Sequence, residues 1–119
     1  MITRSAFHDI TPLVPAGADF AQAVAYYRDV LGFEIVWQAE EMAGVRRGHV
    51  AFNLVRNDER AWADNASFGI GVEDLDALYV EYRTIDARVG PLEMKPWGRR
   101  EFHIVLPSGV CLQFHQAIR

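Results

Sequence analysis

The chain has 119 residues, half of them hydrophobic and about a quarter charged, with a net charge of −4. That is length enough for one folded domain with its own core, needing neither metal nor disulfide, and no low-complexity tract argues otherwise. The acidic balance speaks against a nucleic-acid partner, no apolar run approaches the ~20 residues of a membrane span, and the first residues lack a signal-peptide core. The lone Cys111 cannot form an internal disulfide and fits a reducing, cytoplasmic setting.

In chain order, residues 10–14 form a short apolar run in which Pro12 removes a donor and marks an edge or exchanged strand. A break at residues 15–18 leads to Asp19, which with Gln22 approximates a helix N-cap box. Phe20, Ala23, Val24, Tyr27 and Leu31 follow at helical spacing, and Gly32 suits the residue just past the helix end. Residues 33–38 are aromatic and β-branched and read as a strand. Residues 43–48 and 49–55 read as two more, joined tightly at Gly48. In the second of these, Val50, Phe52 and Leu54 alternate with His49, Ala51 and Asn53, so one face packs on the helix and the other faces a cavity.

Residues 56–63 are polar and charged and read as a linker, although Trp62 within it needs a packing partner, in a cleft or at an interface. The pattern then restarts. Phe68, Ile70 and Val72 alternate with Ser67, Gly69 and Gly71 as a strand whose small residues leave space on the inner face. Asp74 opens a second helix carrying Leu75, Leu78, Tyr79, Tyr82 and Ile85, which Gly90-Pro91 is expected to end. Strands at 92–95, 101–106 and 110–115 complete the chain. The expectation is an α+β fold of duplicated βαβββ modules, about 6–58 and about 64–116, whose mixed sheets curl into half-barrels with helices outside.

Between the last strands lies Pro96-Trp97-Gly98-Arg99-Arg100-Glu101-Phe102, an indole and two guanidiniums in a Gly/Pro-bounded loop. Such a loop suits grasping a flat aromatic ligand; its bland alternative is a Trp that caps the core. Glu101 beside Arg99 and Arg100 reads as a solvated ion pair, and Arg46 and Arg47 at a strand end read as solvated or interfacial.

The module order, the phrase at 20–33 and Pro107-Ser108-Gly109 before a closing strand resemble the vicinal-oxygen-chelate (glyoxalase/bleomycin-resistance/dioxygenase) superfamily. The stretches at 43–48, 63–65, 75–79 and 96–102 are similar to its bleomycin-resistance branch. The resemblance implies a catalytically inert dimer that sequesters bleomycin-type glycopeptides, or another flat aromatic compound, in two clefts at the subunit interface. It implies strand exchange near Pro12 and stacking of the drug on Trp97, with Gly98 and Arg99 beside it. Met42 occupies the place of the opposing aromatic, Trp37 offers further aromatic surface, and Gly69 stands where some relatives carry a Trp. Gln113 joins this set, and so, on their own positions, do Trp62 and Asn53, an inner-face amide that suits a polar ligand or a hydrogen bond to a neighbouring strand. Arg100 is an extra arginine relative to the branch's Trp-Gly-Arg-Glu-Phe.

Enzymes of the superfamily hold a divalent metal through His and carboxylate groups, donors that leave an open coordination shell. The matching positions here are Asp9 or Thr11, Ser67 and Gln113, so no metal site of the protein's own is expected, and any metal arrives with the drug. A shifted set of His115, His49 and Asp9 and a metal-dependent lyase, transferase or dioxygenase activity form the alternative.

Overall fold

The computed structural model describes residues 1–85 and 88–118 of the chain. Its elements run β1 (Leu13–Pro15), α1 (Phe20–Asp29), β2 (Glu34–Gln38), β3 (Met42–Arg47), β4 (Val50–Val55), α2 (Arg60–Asp64), β5 (Ser67–Val72), α3 (Leu75–Arg83), β6 (Arg88–Val89), β7 (Glu93–Met94), β8 (Arg100–Val105) and β9 (Cys111–Gln116).

Both long helices start at a side-chain cap that satisfies an otherwise orphaned N–H. Asp19 accepts from the Gln22 amide at 3.1 Å, and Asp74 accepts from the Ala77 amide at 3.0 Å. The chain leaves α1 through Gly32 at φ 80°, the left-handed region that glycine tolerates without a Cβ penalty. Each helix connects the first strand of its half to a sheet whose last strand lies parallel to that first one. One sheet has the order β1-β4-β3-β2 and the other β5-β9-β8-β6, with β7 also paired to β8. The parallel pairs are β1 with β4 and β5 with β9, and the remaining neighbours are antiparallel. This is the mixed, duplicated and unclosed α+β architecture expected from the periodicities.

Four local expectations need correction. The first strand is Leu13–Pro15 rather than 10–14; residues before it find no sheet neighbour in the chain, although the Pro12 carbonyl still accepts from the Asn53 amide at 3.0 Å. The expected linker contains α2, a single turn too short to leave a periodic signal. The second helix stops at Thr84, not at Gly90, and Arg88–Val89 already pairs with β8. His49 lies in the turn between β3 and β4, where Gly48 has φ 60°, rather than on a strand.

Alternation sorts each sheet into two faces. On the helix side of the first sheet, Tyr27, Phe33 and Phe52 meet edge to face with centroids 5.4–5.8 Å apart. On the helix side of the second, Phe102 stacks on Phe114 at 5.1 Å and meets Tyr79 and Tyr82. A polar joint ties the two clusters together. The Tyr82 hydroxyl donates to the Leu31 carbonyl at 2.9 Å, and Arg47 donates to the same carbonyl at 2.8 Å while forking onto Glu81 at 2.8 Å through each terminal nitrogen. Burial pushes the Tyr82 hydroxyl up to about 12, against the pull of Arg47, so it stays a neutral donor. Arg47 is therefore a structural bridge between the halves rather than a solvated group.

Candidate functional site

The faces turned away from the helices carry the residues singled out from the sequence. On β9, Leu112 and Phe114 are buried against α3, so Cys111, Gln113 and His115 point the other way. The register places Gln113 beside Gly69 and His103, and His115 beside Gly71 and Glu101. On the first sheet the same parity places Met42, Gly44, Asn53 and Val55 on the corresponding open face.

Trp97 sits in the turn between β7 and β8 with 62% of its surface exposed, so it does not cap the core. Gly98 makes the turn at φ 87°, with its amide on the Lys95 carbonyl at 2.9 Å, and the Lys95 amide returns to the Arg99 carbonyl at 3.0 Å. The indole N–H donates to Glu101 Oε2 at 3.0 Å, and Arg99 Nε donates to the same oxygen at 2.7 Å. Glu101 is 2% exposed. It is not the solvated ion pair anticipated from the sequence: β8 begins at Arg100, which turns Glu101 inward among its donors. Burial works to raise its pKa, but the hydrogen bonds from Trp97 and Arg99, with the nearby positive charge, hold it below the usual carboxylate value. Arg100, the extra arginine, points to the opposite face and pairs with Asp76 on α3 at 2.9 Å. Both loop guanidiniums are thus neutralised, and the inserted charge faces away from Trp97.

Beside this cluster lies His115, whose Nδ1 is buried without a hydrogen-bond partner among the described residues. Burial chiefly, and then Arg99, lowers its pKa, while Glu101 acts in the opposite direction. The imidazole packs over Gly71, where a Cβ would stand 3.2 Å from Nε2. Gly71 therefore makes room for His115 rather than for a ligand. Gly69 is the glycine that opens space: a Cβ there would meet nothing within 4 Å.

On the first sheet, the Trp37 indole lies across Gly44, covering the ground a Cβ would occupy, and keeps 43% of its surface exposed. Met42 and Asn53 are half-buried on that face, and among the described residues the Asn53 side-chain amide has no hydrogen-bond partner. Trp62 is 65% exposed on α2. That helix is tethered to the Pro107-Ser108-Gly109 turn by Arg60, which donates to the Pro107 carbonyl at 3.1 Å.

Met42 belongs to one sheet and the turn bearing Trp97 to the other, and among the described residues no strand of one sheet pairs with a strand of the other. A cavity of about 190 Å³ lies between the start of α1 and the Pro107-Ser108 turn, and another of about 550 Å³ lies at the seam marked by Arg47 and Glu81. Neither is lined by Trp97, Met42 or Trp37. A single chain therefore presents two open half-sites.

The residues at the metal-ligand positions do not fit a metal. The Gln113 amide donates to the Ser67 hydroxyl at 3.1 Å, so two weak neutral donors are committed to each other. Asp9 and Thr11 are exposed in the stretch just ahead of β1. Among the described residues no group of three or more His, Cys, Asp and Glu is arranged to hold an ion, and the shifted set of Asp9, His49 and His115 is not assembled. Among the described residues no helix is long and apolar enough to cross a membrane.

Residues 10–114 match the family model described as the Glyoxalase/Bleomycin resistance protein/Dioxygenase superfamily. The chain is 24% identical to a bleomycin resistance protein of Geobacillus stearothermophilus, with 91% of this chain and 96% of that protein covered. It superposes with a TM-score of 0.81 and 29% identity on the bleomycin-binding protein of bleomycin-producing Streptomyces verticillus, solved with copper(II)-bleomycin, covering 95% of this chain and 100% of that one. A lactoylglutathione lyase of Agrobacterium tumefaciens shares the fold at 19% identity and a TM-score of 0.74, with 96% of each chain covered.

Proposed function

The chain belongs to the glyoxalase/bleomycin resistance protein/dioxygenase superfamily, and from that premise we propose that it confers resistance by binding bleomycin-type glycopeptides stoichiometrically, without bond chemistry. The observation that carries this reading is Trp97, an exposed indole locked by its N–H at the rim of an open sheet face. An indole held this way offers a rigid flat surface to a heteroaromatic ring, the kind of contact that dominates binding energy when water is excluded. Similarity to bleomycin resistance and bleomycin-binding proteins over nearly the whole chain supports the choice of drug.

The two half-sites favour a homodimer in which the Trp97 face of one copy meets the Met42 and Trp37 face of the other. Met42 supplies a thioether where an aromatic would be stiffer, and the adjacent Trp37 ring adds a flat surface. Gly69 and Gln113 then floor the cleft, Asn53 offers a free amide, and Gly98 and Arg99 set the position of Trp97; Trp62 on α2 has the weakest claim to the site. Any metal enters with the drug, because the superfamily's ligand positions here carry Ser67 and Gln113. The same donor chemistry sets the metal-dependent enzyme reading below the binding one. A cytoplasmic place accords with the unpaired, half-buried Cys111.

Titrating metal-free bleomycin into the protein while following tryptophan emission tests the reading. Equimolar, saturable quenching that a chelator leaves unchanged is the expected result. A flat response to bleomycin, together with tight uptake of a divalent metal by the protein alone, would overturn it in favour of an enzyme. Quenching by a different flat aromatic natural product, with none by bleomycin, would keep sequestration and change its ligand.

A further inference from the structure

Resting on that reading, we infer that Glu101 is a positioning residue: its buried carboxylate fixes the plane of the Trp97 indole in the empty protein, so that the stacking surface is ready before a ligand arrives. The loop itself leaves the indole little else to lean on. Gly98 has no Cβ, and a Cβ there would meet nothing within 4 Å, so the turn packs on no neighbour at that point. The ring is more than half exposed, yet its one polar atom is held at 3.0 Å by a carboxylate that is 2% exposed. Arg99 Nε reaches the same oxygen at 2.7 Å, which anchors both sides of the Gly98 turn to a single atom of β8.

A buried carboxylate is a poor device for stability alone. Desolvating a charge is costly, and a well-packed apolar side chain of similar size is often as stabilising. What an apolar side chain cannot do is accept an indole N–H. The β8 register adds to the case: Arg100 turns to Asp76 on the helix side, which leaves the Glu101 carboxylate on the open face, accepting from the loop donors Trp97 and Arg99 with His115 beside it. Holding a large side chain in one rotamer before binding removes an ordering cost from association.

The test uses the full chain labelled with ¹⁵N and metal-free bleomycin as the probe. The Trp97 indole resonance is assigned by its loss in Trp97→Phe. In the wild type it should lie downfield and exchange slowly with solvent; in Glu101→Leu it should move to an ordinary position, while the Trp37 and Trp62 resonances stay in place. Affinity for bleomycin should fall about three- to tenfold, the equivalent of immobilising one side chain. In a Trp97→Ala background, Glu101→Leu should cause no further loss, because Glu101 acts through the ring. Should Glu101→Leu fail to fold, Glu101→Gln, which keeps one neutral acceptor, should give an intermediate resonance and affinity. An unchanged indole resonance, or an equal affinity loss with and without Trp97, would overturn the inference. If wild-type protein binds no bleomycin, bleomycin falls as the ligand, and the indole resonance alone decides whether Glu101 holds the ring.

Discussion

Trp97 combines a free ring face with a bound ring edge, and the two halves of that description make separable predictions. Because 62% of the residue is exposed, Trp97→Ala should leave the melting temperature nearly unchanged. If the ring stacks on the drug, the same substitution should weaken bleomycin binding by about 1–3 kcal/mol by calorimetry. The edge is read by acid. The folded-state pKa of Glu101 is depressed, so its contribution is complete above the ordinary carboxylate range and is lost as pH falls through the depressed folded value. Across that acid window the wild type should lose more stability than Glu101→Gln, and the two denaturation curves should converge; parallel curves would mean that Glu101 carries no net favourable charge interaction. The loop alone left Trp97 open between a ligand clamp and a core cap, and it is the exposure of the ring that removes the cap. Its partner was not legible: Arg99-Arg100-Glu101 reads as a surface charge run until the start of β8 fixes which side chains turn inward. The same one-residue parity decides that Arg100 meets α3 instead of the open face.

At the scale of elements, the helices were the most readable, since Asp19 and Asp74 announce their starts and the apolar spacing gives their buried faces. The longer strands followed from alternation. What escaped was short: α2 and β6 have too few residues for any period to register, and β6 exists because β8 offers it an edge. The joint between the halves also escaped, because nothing in the sequence links Arg47 to residues more than thirty positions on. Structure shows it forking onto Glu81 and sharing the Leu31 carbonyl with Tyr82. Its side chain is 35% exposed, which tempers the ion pair but not the hydrogen bond to a buried carbonyl. Arg47→Met should therefore lower unfolding free energy by about 1–2 kcal/mol in urea denaturation. A change of only a few tenths would assign the joint to Tyr82 alone.

For the whole molecule, the exposed apolar surface is distributed in a way a lone copy leaves unexplained. Ile2, Phe7 and Ile10 in the stretch before β1 are 91%, 100% and 86% exposed, and Leu13 and Trp37 add to the open face of the first sheet. Scattered surface apolars need no explanation, but an extended segment carrying three, next to an uncovered sheet face, marks an interaction surface. The free edges of β1 and β5 point the same way, since an edge strand is a template for another chain. The proposed homodimer would cover these surfaces and complete the cleft in one step. Sedimentation should then give a dimer at micromolar concentration, with one drug bound per Trp97. Deleting residues 2–11 should shift the protein towards monomer, because it removes the exposed apolar segment and leaves every strand and helix intact. Affinity for bleomycin should fall in proportion to the monomer fraction and recover as protein concentration rises, by mass action. A truncated protein that stays dimeric would place the contact on the sheet faces alone. A wild type that is monomeric and still binds the drug equimolarly would show that one chain closes its own cleft, and would remove the second copy from the site.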